Sequence, residues 1–227
     1  MEYRNSEFYE DDIVFERYIT ERNKEGNLND VIEKPLLLEL MGDVKDKRVL
    51  DLGCGDGQIG FDLLNQGCRH YTGVDGSKKM IDLAKERFLD VKNTDFQKSL
   101  LQDWNYPKCK YDLIIARMSL HYLSDLSKVF KIIYGALKKS GAFIFSVEHP
   151  FFTYKHYTED YYQTGEISCK WMGKQVIKNH RKIEDYIIDL QDARFDNMTL
   201  RESKPTDWLD EEERKMPLVL FLKGFKR

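Results

Sequence analysis

The sequence predicts an α/β protein built on a mostly parallel sheet. Two observations carry this. After residue 47, helix-length patterns alternate with short β-rich runs, the mark of repeated βαβ units. One apolar run, Val49-Leu50-Asp51-Leu52, then breaks into glycines at Gly53, Gly55 and Gly57. Glycine at every second position strips away the Cβ atoms that would hold a ligand off the main chain, and it permits the positive φ angles of a tight strand-to-helix turn. At 227 residues and 41% apolar side chains, the chain suffices for one packed domain.

In chain order, residues 8–41 read as two helices joined by the polar turn Lys24-Glu25-Gly26-Asn27-Leu28-Asn29-Asp30, a helical cover ahead of the first strand. Strands follow at Arg48–Leu52, His70–Val74, near Phe96, Tyr111–Ala116, Gly141–Val147, Asn197–Glu202 and Pro217–Phe225. The pattern near Phe96 is the weakest, because Lys92–Leu101 is polar and poorly periodic. Helices fill the gaps at Asp56–Asn65, Ser77–Leu89, Leu126–Leu137 and His180–Ala193, with Ser77 and either Ser124 or Asp125 as N-caps. Residues 150–175 are too long for a routine connection, and Phe151, Phe152, Tyr154, Tyr157, Tyr161, Tyr162 and Trp171 crowd into them. They read as a lid, or else as a surface excursion or short hairpin whose aromatics pack on the sheet. The single domain thus divides into a cover (1–46), a core (47–147), an aromatic insertion (148–178) and a C-terminal helix with strands (179–227).

Composition excludes several classes. No run of about 18 apolar residues is present, and Met1-Glu2-Tyr3-Arg4-Asn5 lacks the charged-then-apolar pattern of a signal peptide, so a cytoplasmic protein with no membrane partner is expected. Cys54, Cys68, Cys109 and Cys169 are scattered without a C-x-x-C pair or a histidine at metal-ligand spacing, which suggests neither a disulfide framework nor a metal site. A formal charge of -3 gives no footprint for a polyanion, and nucleic acid is not expected as a partner. A monomer or a homodimer fits equally.

The chemistry starts at the glycine turn. Asp75 closes the second strand in Tyr71-Thr72-Gly73-Val74-Asp75-Gly76-Ser77, where a carboxylate can accept from both ribose hydroxyls of an adenosine-containing cofactor, or cap the helix that follows. The turn itself is ambiguous: Gly55-Asp56-Gly57-Gln58-Ile59-Gly60 spells G-x-G-x-x-G with Asp75 20 residues beyond Gly55, as a nicotinamide oxidoreductase would have it. Asp51 argues otherwise. An acid inside an apolar strand is costly without a partner, and loop amides or a cationic ligand would supply one.

These residues, together with Gly73-Val74-Asp75-Gly76-Ser77-Lys78-Lys79-Met80 and Tyr111-Asp112-Leu113-Ile114-Ile115-Ala116-Arg117, resemble the class I S-adenosylmethionine-dependent methyltransferases, in particular the bacterial small-molecule type 11 and type 25 groups. The similarity is close over residues 47–147 and looser through Ser146-Val147-Glu148-His149-Pro150 and Asn179-His180-Arg181. It implies a Rossmann-like, doubly wound sheet of seven strands with the last antiparallel and helices on both faces. It also implies S-adenosylmethionine as cofactor, leaving as S-adenosylhomocysteine. By the same resemblance Gly53, Cys54 and Gly55 border the methionine moiety, Asp51 acts near the amine, Asp75 holds the ribose, and Gly76 to Met80 lie along the adenosine. Ala116 and Arg117 would offer a backbone carbonyl to the amino group, and Tyr18 or Arg22 would reach the carboxylate. Two departures stand out. Leu100 occupies the place of the acid that binds the adenine amino group, which leaves backbone at Leu100 and Leu101, or Asp103, for that task; and Lys139-Ser140-Gly141 replaces a Pro-Gly-Gly turn.

Methyl transfer from a sulfonium needs mainly an aligned nucleophile in a dry pocket. The place to look for acceptor-facing groups is the carboxyl end of the fourth and fifth strands, where His121 and Tyr122, and then Glu148 and His149, follow. His121 and His149 are preferred because an imidazole titrates near neutrality; as packing residues they need no ligand. His180-Arg181 would bind an acidic acceptor or sit in solvent. Arg117-Met118-Ser119-Leu120 lacks the Asn- or Asp-Pro-Pro-aromatic stretch of adenine-modifying enzymes, and neither Cys54 nor Cys109 suits cytosine C5 chemistry. A small, partly apolar or cationic acceptor is expected. The rival readings are a catalytically silent cofactor-binding module acting through a protein partner and a nicotinamide oxidoreductase.

Overall fold

The structure is a computed structural model and describes residues 2–227. The chain runs β1 (Glu2–Tyr3), α1 (Asp12–Arg22), α2 (Lys34–Met41), β2 (Arg48–Leu52), α3 (Gln58–Asn65), β3 (His70–Asp75), α4 (Lys78–Arg87), β4 (Thr94–Lys98), β5 (Tyr111–Arg117), α5 (Leu126–Ala136), β6 (Leu137–Glu148), α6 (Pro150–Tyr157), β7 (Gly165–Trp171), β8 (Lys174–His180), α7 (Ile183–Asp192), β9 (Asp196–Glu202) and β10 (Val219–Phe225). Seven strands form one sheet in the order β4-β3-β2-β5-β6-β10-β9. The pairs from β4 through β6 are parallel, and β10 runs antiparallel between β6 and β9. The expected seven-stranded sheet with an antiparallel last strand is therefore present.

Alternation along the central strands divides the core by face. Leu50, Leu52, Ile114, Ala116, Phe143 and Phe145 pack with α5 and α7. Val49, Leu113, Ile115 and Ile144 point the other way, against α2, α3 and α4. After β4 the chain returns to the opposite side of β2, so the strand order reverses between β2 and β5. At such a point the connections on the two sides diverge and leave a crevice beyond the strand ends.

Several boundaries differ from expectation for local reasons. α3 starts at Gln58 rather than Asp56, because Gly57 takes a left-handed conformation (φ 77) immediately before it. Ser77 caps α4 by accepting from Met80 N–H at 3.2 Å, and Asp125, not Ser124, caps α5 by accepting from Lys128 N–H at 3.0 Å. β6 begins at Leu137 instead of Gly141, passing through Ser140 at φ 61 where the related pattern has glycine. His180 closes a strand rather than opening a helix, and α7 begins at Ile183 with Asp185 accepting from Lys182 N–H.

The two segments outside the alternation are more built than expected. The cover comprises a 3-10 turn (Asn5–Glu10), α1, a π-helical turn (Asn29–Glu33) and α2. The 150–175 stretch is α6 followed by the β7–β8 hairpin, to which β1 adds in parallel through Glu2 and Tyr3 beside Gln175 and Val176. This second sheet, β1-β8-β7, ties the N-terminal segment to the insertion.

Candidate active site

A cavity of about 1290 Å³, counting its open mouth, lies beyond the carboxyl ends of β2, β3, β5 and β6 at the point where the strand order reverses. Its floor is the glycine turn. Gly53 and Cys54 N–H groups donate to Val74 O at 2.8 and 3.2 Å, which stitches the turn to β3. Gly53 has φ 75, and a Cβ there would stand 2.4 Å from Ser119 Cβ, so the position tolerates only glycine. Gly55 has φ 54, and a Cβ built on it meets nothing within 4 Å; its bare backbone faces open cavity.

Asp75 is tied into this turn. It accepts from Gly55 N–H at 2.9 Å on Oδ2 and from Ser77 N–H at 2.8 Å on Oδ1, leaving one lone pair on each oxygen for a ligand. Burial raises its pKa, and those two backbone donors oppose the rise.

Asp51 is 1% exposed. Tyr71 donates to Oδ2 at 2.6 Å, while Oδ1 is buried in the cavity wall with no partner among the described residues. Burial pushes this carboxyl up to about 6, against the pull of Tyr71 and of Arg117. A buried acceptor of this kind, left open on a site, calls for a cationic donor.

Arg117 also reaches the cavity, but its guanidinium belongs to Glu33 of the π-helical turn, with Nε 3.0 Å and Nη2 2.5 Å from Oε2. Ser146 completes the pair by donating to Glu33 Oε1 at 2.7 Å. Arg22 is 8% exposed and bridges Asn27 and Asp30 at 2.8 Å each while lining the cavity beside Tyr18. Cys54, Gly76, Met80, Leu100 and Leu101 line the opposite wall. Asp103 is exposed and stands outside the cavity; Gln102 lines it instead, with Oε1 buried and unpartnered.

The roof comes from residues the sequence did not single out. Asn5, Ser6 and Tyr9 line the cavity from the first 3-10 turn, and Ser6 lies so close over Gly76 that a Cβ there would meet Ser6 Oγ at 2.4 Å. Glu10 accepts from Ser77 Oγ–H at 2.7 Å and from Lys78 N–H at 2.6 Å, holding the turn down on the start of α4.

At the far end stand His121, Tyr122, Glu148, Trp171 and Lys178. His121 is 5% exposed with Nδ1 unpartnered, and burial lowers its pKa to about 3, so the imidazole is neutral. His149 corrects the expectation placed on it: it does not line the cavity. It is fully buried, Phe151 N–H donates to Nδ1 at 3.1 Å, and Nε2–H therefore donates to Glu202 at 3.0 Å. Both ring nitrogens are spent on capping α6 and tying it to β9. His180 Nε2–H donates to Tyr161 O and Arg181 Nη2 to Leu123 O and Ser124 O, while His180 Nδ1 and Arg181 Nη1 are buried with no partner among the described residues, and neither side chain lines the cavity. Of the aromatics of the insertion, Trp171 lines the cavity, whereas Phe151, Tyr154 and Tyr162 meet Tyr161 outside it in tilted or edge-to-face contacts. The insertion is thus a helix and a hairpin, of which the hairpin contributes Trp171 and Lys178 to the cavity wall.

The chain is similar to known proteins in both sequence and fold. A family profile described as the methyltransferase domain matches residues 49–141. The fold superimposes on an S-adenosylmethionine-dependent methyltransferase from Mesorhizobium loti (TM-score 0.78, 25% identity, 86% of this chain and 97% of that one). It superimposes equally on a candidate enzyme of the same kind from Listeria monocytogenes (TM-score 0.79, 26% identity, 86% and 96%). In sequence it is 29% identical to the uncharacterised methyltransferase YcgJ of Bacillus subtilis over 64% of this chain, spanning about half (53%) of that relative's length.

Proposed function

We propose that this chain, which is similar to the S-adenosylmethionine-dependent methyltransferases in sequence and fold, transfers the methyl group to an oxygen or nitrogen atom of a small-molecule acceptor seated beside His121. When bound, the cofactor supplies a methyl group activated by a sulfonium, together with its own leaving group. The protein's task is then to hold, align and exclude water.

The observation that carries this reading is Asp51 Oδ1, a buried acceptor with no protein partner on the cavity wall. It suits the α-ammonium of a methionine moiety, which would run along the backbone of Gly53, Cys54 and Gly55. Asp75 suits the ribose hydroxyls, and Gly76, Met80, Leu100 and Leu101 the adenosine, with Gln102 Oε1 free to accept from the adenine amine. Arg22 or Tyr18 would take the carboxylate. The side chain of Arg117 has its charge spent on Glu33, so any contribution from that residue is through its backbone. His121, neutral and with Nδ1 uncommitted, offers the acceptor a hydrogen-bonding group with no charge to repel the sulfonium.

Calorimetry tests the cofactor half. S-adenosylhomocysteine is expected to bind saturably and NAD not at all, with Asp75→Ala weakening the binding by about 1–3 kcal/mol. Unchanged affinity in the variant would remove Asp75 from the site, and NAD binding in place of S-adenosylhomocysteine would overturn the reading. Movement of label from methyl-labelled cofactor to a component of a metabolite extract tests turnover, and a protein that binds but never moves label would be the silent module.

A further inference from the structure

The far end of the cavity holds a buried ion pair that methyl transfer as described leaves without a task. Lys178, in the middle of β8, is 3% exposed and its ammonium donates to Glu148 Oε1 at the end of β6. The same ammonium lies 5.6 Å from the Trp171 ring centre and 5.9 Å from those of Tyr122 and Tyr157. Two buried charges return little net stability compared with apolar side chains of the same volume, and they mark functional sites more than structural ones.

The pair is asymmetric, and the asymmetry assigns the roles. An ammonium enclosed by a carboxylate and three rings is nearly sealed. Glu148 is the more open partner at 16% exposure, lines the cavity, and has Lys178 as the one hydrogen-bond partner of its side chain among the described residues. Oε2 has no hydrogen-bond partner among the described residues. Burial alone would neutralise this acid, but Lys178 outweighs burial and holds its pKa below the usual carboxylate range. His121 beside it is neutral, which leaves Glu148 as the ionised group available to a ligand there.

We propose that Glu148 binds the methyl acceptor through a proton-bearing nitrogen or oxygen, with Lys178 as the positioning residue that holds and aims the carboxylate. The acceptor is thus an amine or a hydroxyl compound and not a carboxylic acid, whose charge would be driven against Glu148 in a desolvated space. This rests on the cavity being the methyl-transfer site. The acceptor's N–H or O–H donates to Oε2. A bond forms from the acceptor nitrogen or oxygen to the methyl carbon, the carbon–sulfur bond breaks with its electron pair kept by sulfur, and the acceptor's proton passes to Glu148 and then to solvent.

Two measurements test this. In the first, wild-type protein is incubated with methyl-labelled S-adenosylmethionine and a metabolite extract, and the labelled product is treated with alkali. Label that stays fixed is the N-methyl or ether product expected; label released as volatile methanol is a methyl ester and overturns the proposal while leaving methyl transfer intact. No label transferred by protein that binds S-adenosylhomocysteine would overturn both. In the second, the purified labelled product's precursor serves as substrate. Glu148→Gln is expected to lower kcat by about 100-fold, with S-adenosylhomocysteine affinity unchanged as proof of a folded site.

The pH profile separates positioning from mere structure. Glu148 is faced by Lys178 and Cys169 of the hairpin, His121 and Tyr122 of the turn after β5, Tyr157 of α6 and Tyr186 of α7. Burial is the largest influence on the carboxyl and raises its pKa; Lys178 is the main opposing one, and the remaining one, His121, carries no charge while neutral. Lys178→Met is therefore expected to lose activity as pH falls through a range where wild type and Lys178→Arg stay flat. A Lys178→Met profile parallel to wild type would overturn the positioning role.

Discussion

The two ends of the cavity are built in opposite ways. At the cofactor end, the fixed points lie within two short loops: the amides of Gly53 and Cys54, which donate to Val74 O, and the amides of Gly55 and Ser77, which donate to the carboxylate of Asp75. At the end proposed for the acceptor they are side chains from distant segments, His121, Tyr122, Glu148, Trp171 and Lys178. Main-chain recognition tolerates little change in backbone, whereas a side-chain wall can be rebuilt one residue at a time. One scaffold can thus keep its donor while its acceptor varies.

Substitutions should respect that division. The largest effect is expected at Gly53, where φ 75 and Ser119 leave no room for a side chain. Gly53→Val should distort the turn and weaken S-adenosylhomocysteine binding by about 3 kcal/mol or more, measured by calorimetry; near-normal affinity would mean that the turn is not the cofactor's support. Trp171→Ala comes next. It should raise the acceptor KM about threefold, in line with loss of a ring beside a buried ammonium, and leave cofactor affinity within about twofold. If cofactor affinity fell instead, the two ends would not be separable. The smallest effect is at His149. His149→Ala should cost about 1–2 kcal/mol of stability through loss of the α6 cap, seen as a drop in melting temperature of a few degrees, about 2–8 °C, with kcat unchanged. A collapse of kcat at unchanged stability would restore the histidine to the acceptor site.

The same division decides what the sequence could tell. The turn from Val49 to Gly57 was legible because glycine spacing encodes backbone conformation locally, and Asp75 because a strand-end acid follows at a fixed distance. Helix starts at Ser77 and Asp125 were legible for the same local reason. The β7–β8 hairpin was legible only as an alternative to a lid and without bounds, since its two-residue turn uses Met172 and Gly173 at φ 47 and 83, and only the glycine advertises a left-handed conformation. The helix α6 was hidden among aromatics with strand propensity; His149-Pro150 was its signal, a capping side chain followed by proline in the first turn. Lys178 and Gln102 carry no local mark at all. Each matters because of burial against elements remote in sequence, and burial of a single polar side chain leaves no pattern to read.

The central claim is that a buried, half-satisfied Asp51 meets the ammonium of the cofactor. With its carboxyl pushed up to about 6, Asp51 is partly protonated in the free protein near that pH. A bound ammonium favours the ionised form, so binding must expel a proton, and affinity must fall as pH drops through about 6. Titrating S-adenosylhomocysteine near pH 6 in buffers of different ionisation heat reads this directly. Proton release in the wild type that disappears in Asp51→Asn is the predicted result; the same proton count in both proteins, or none in either, would contradict it.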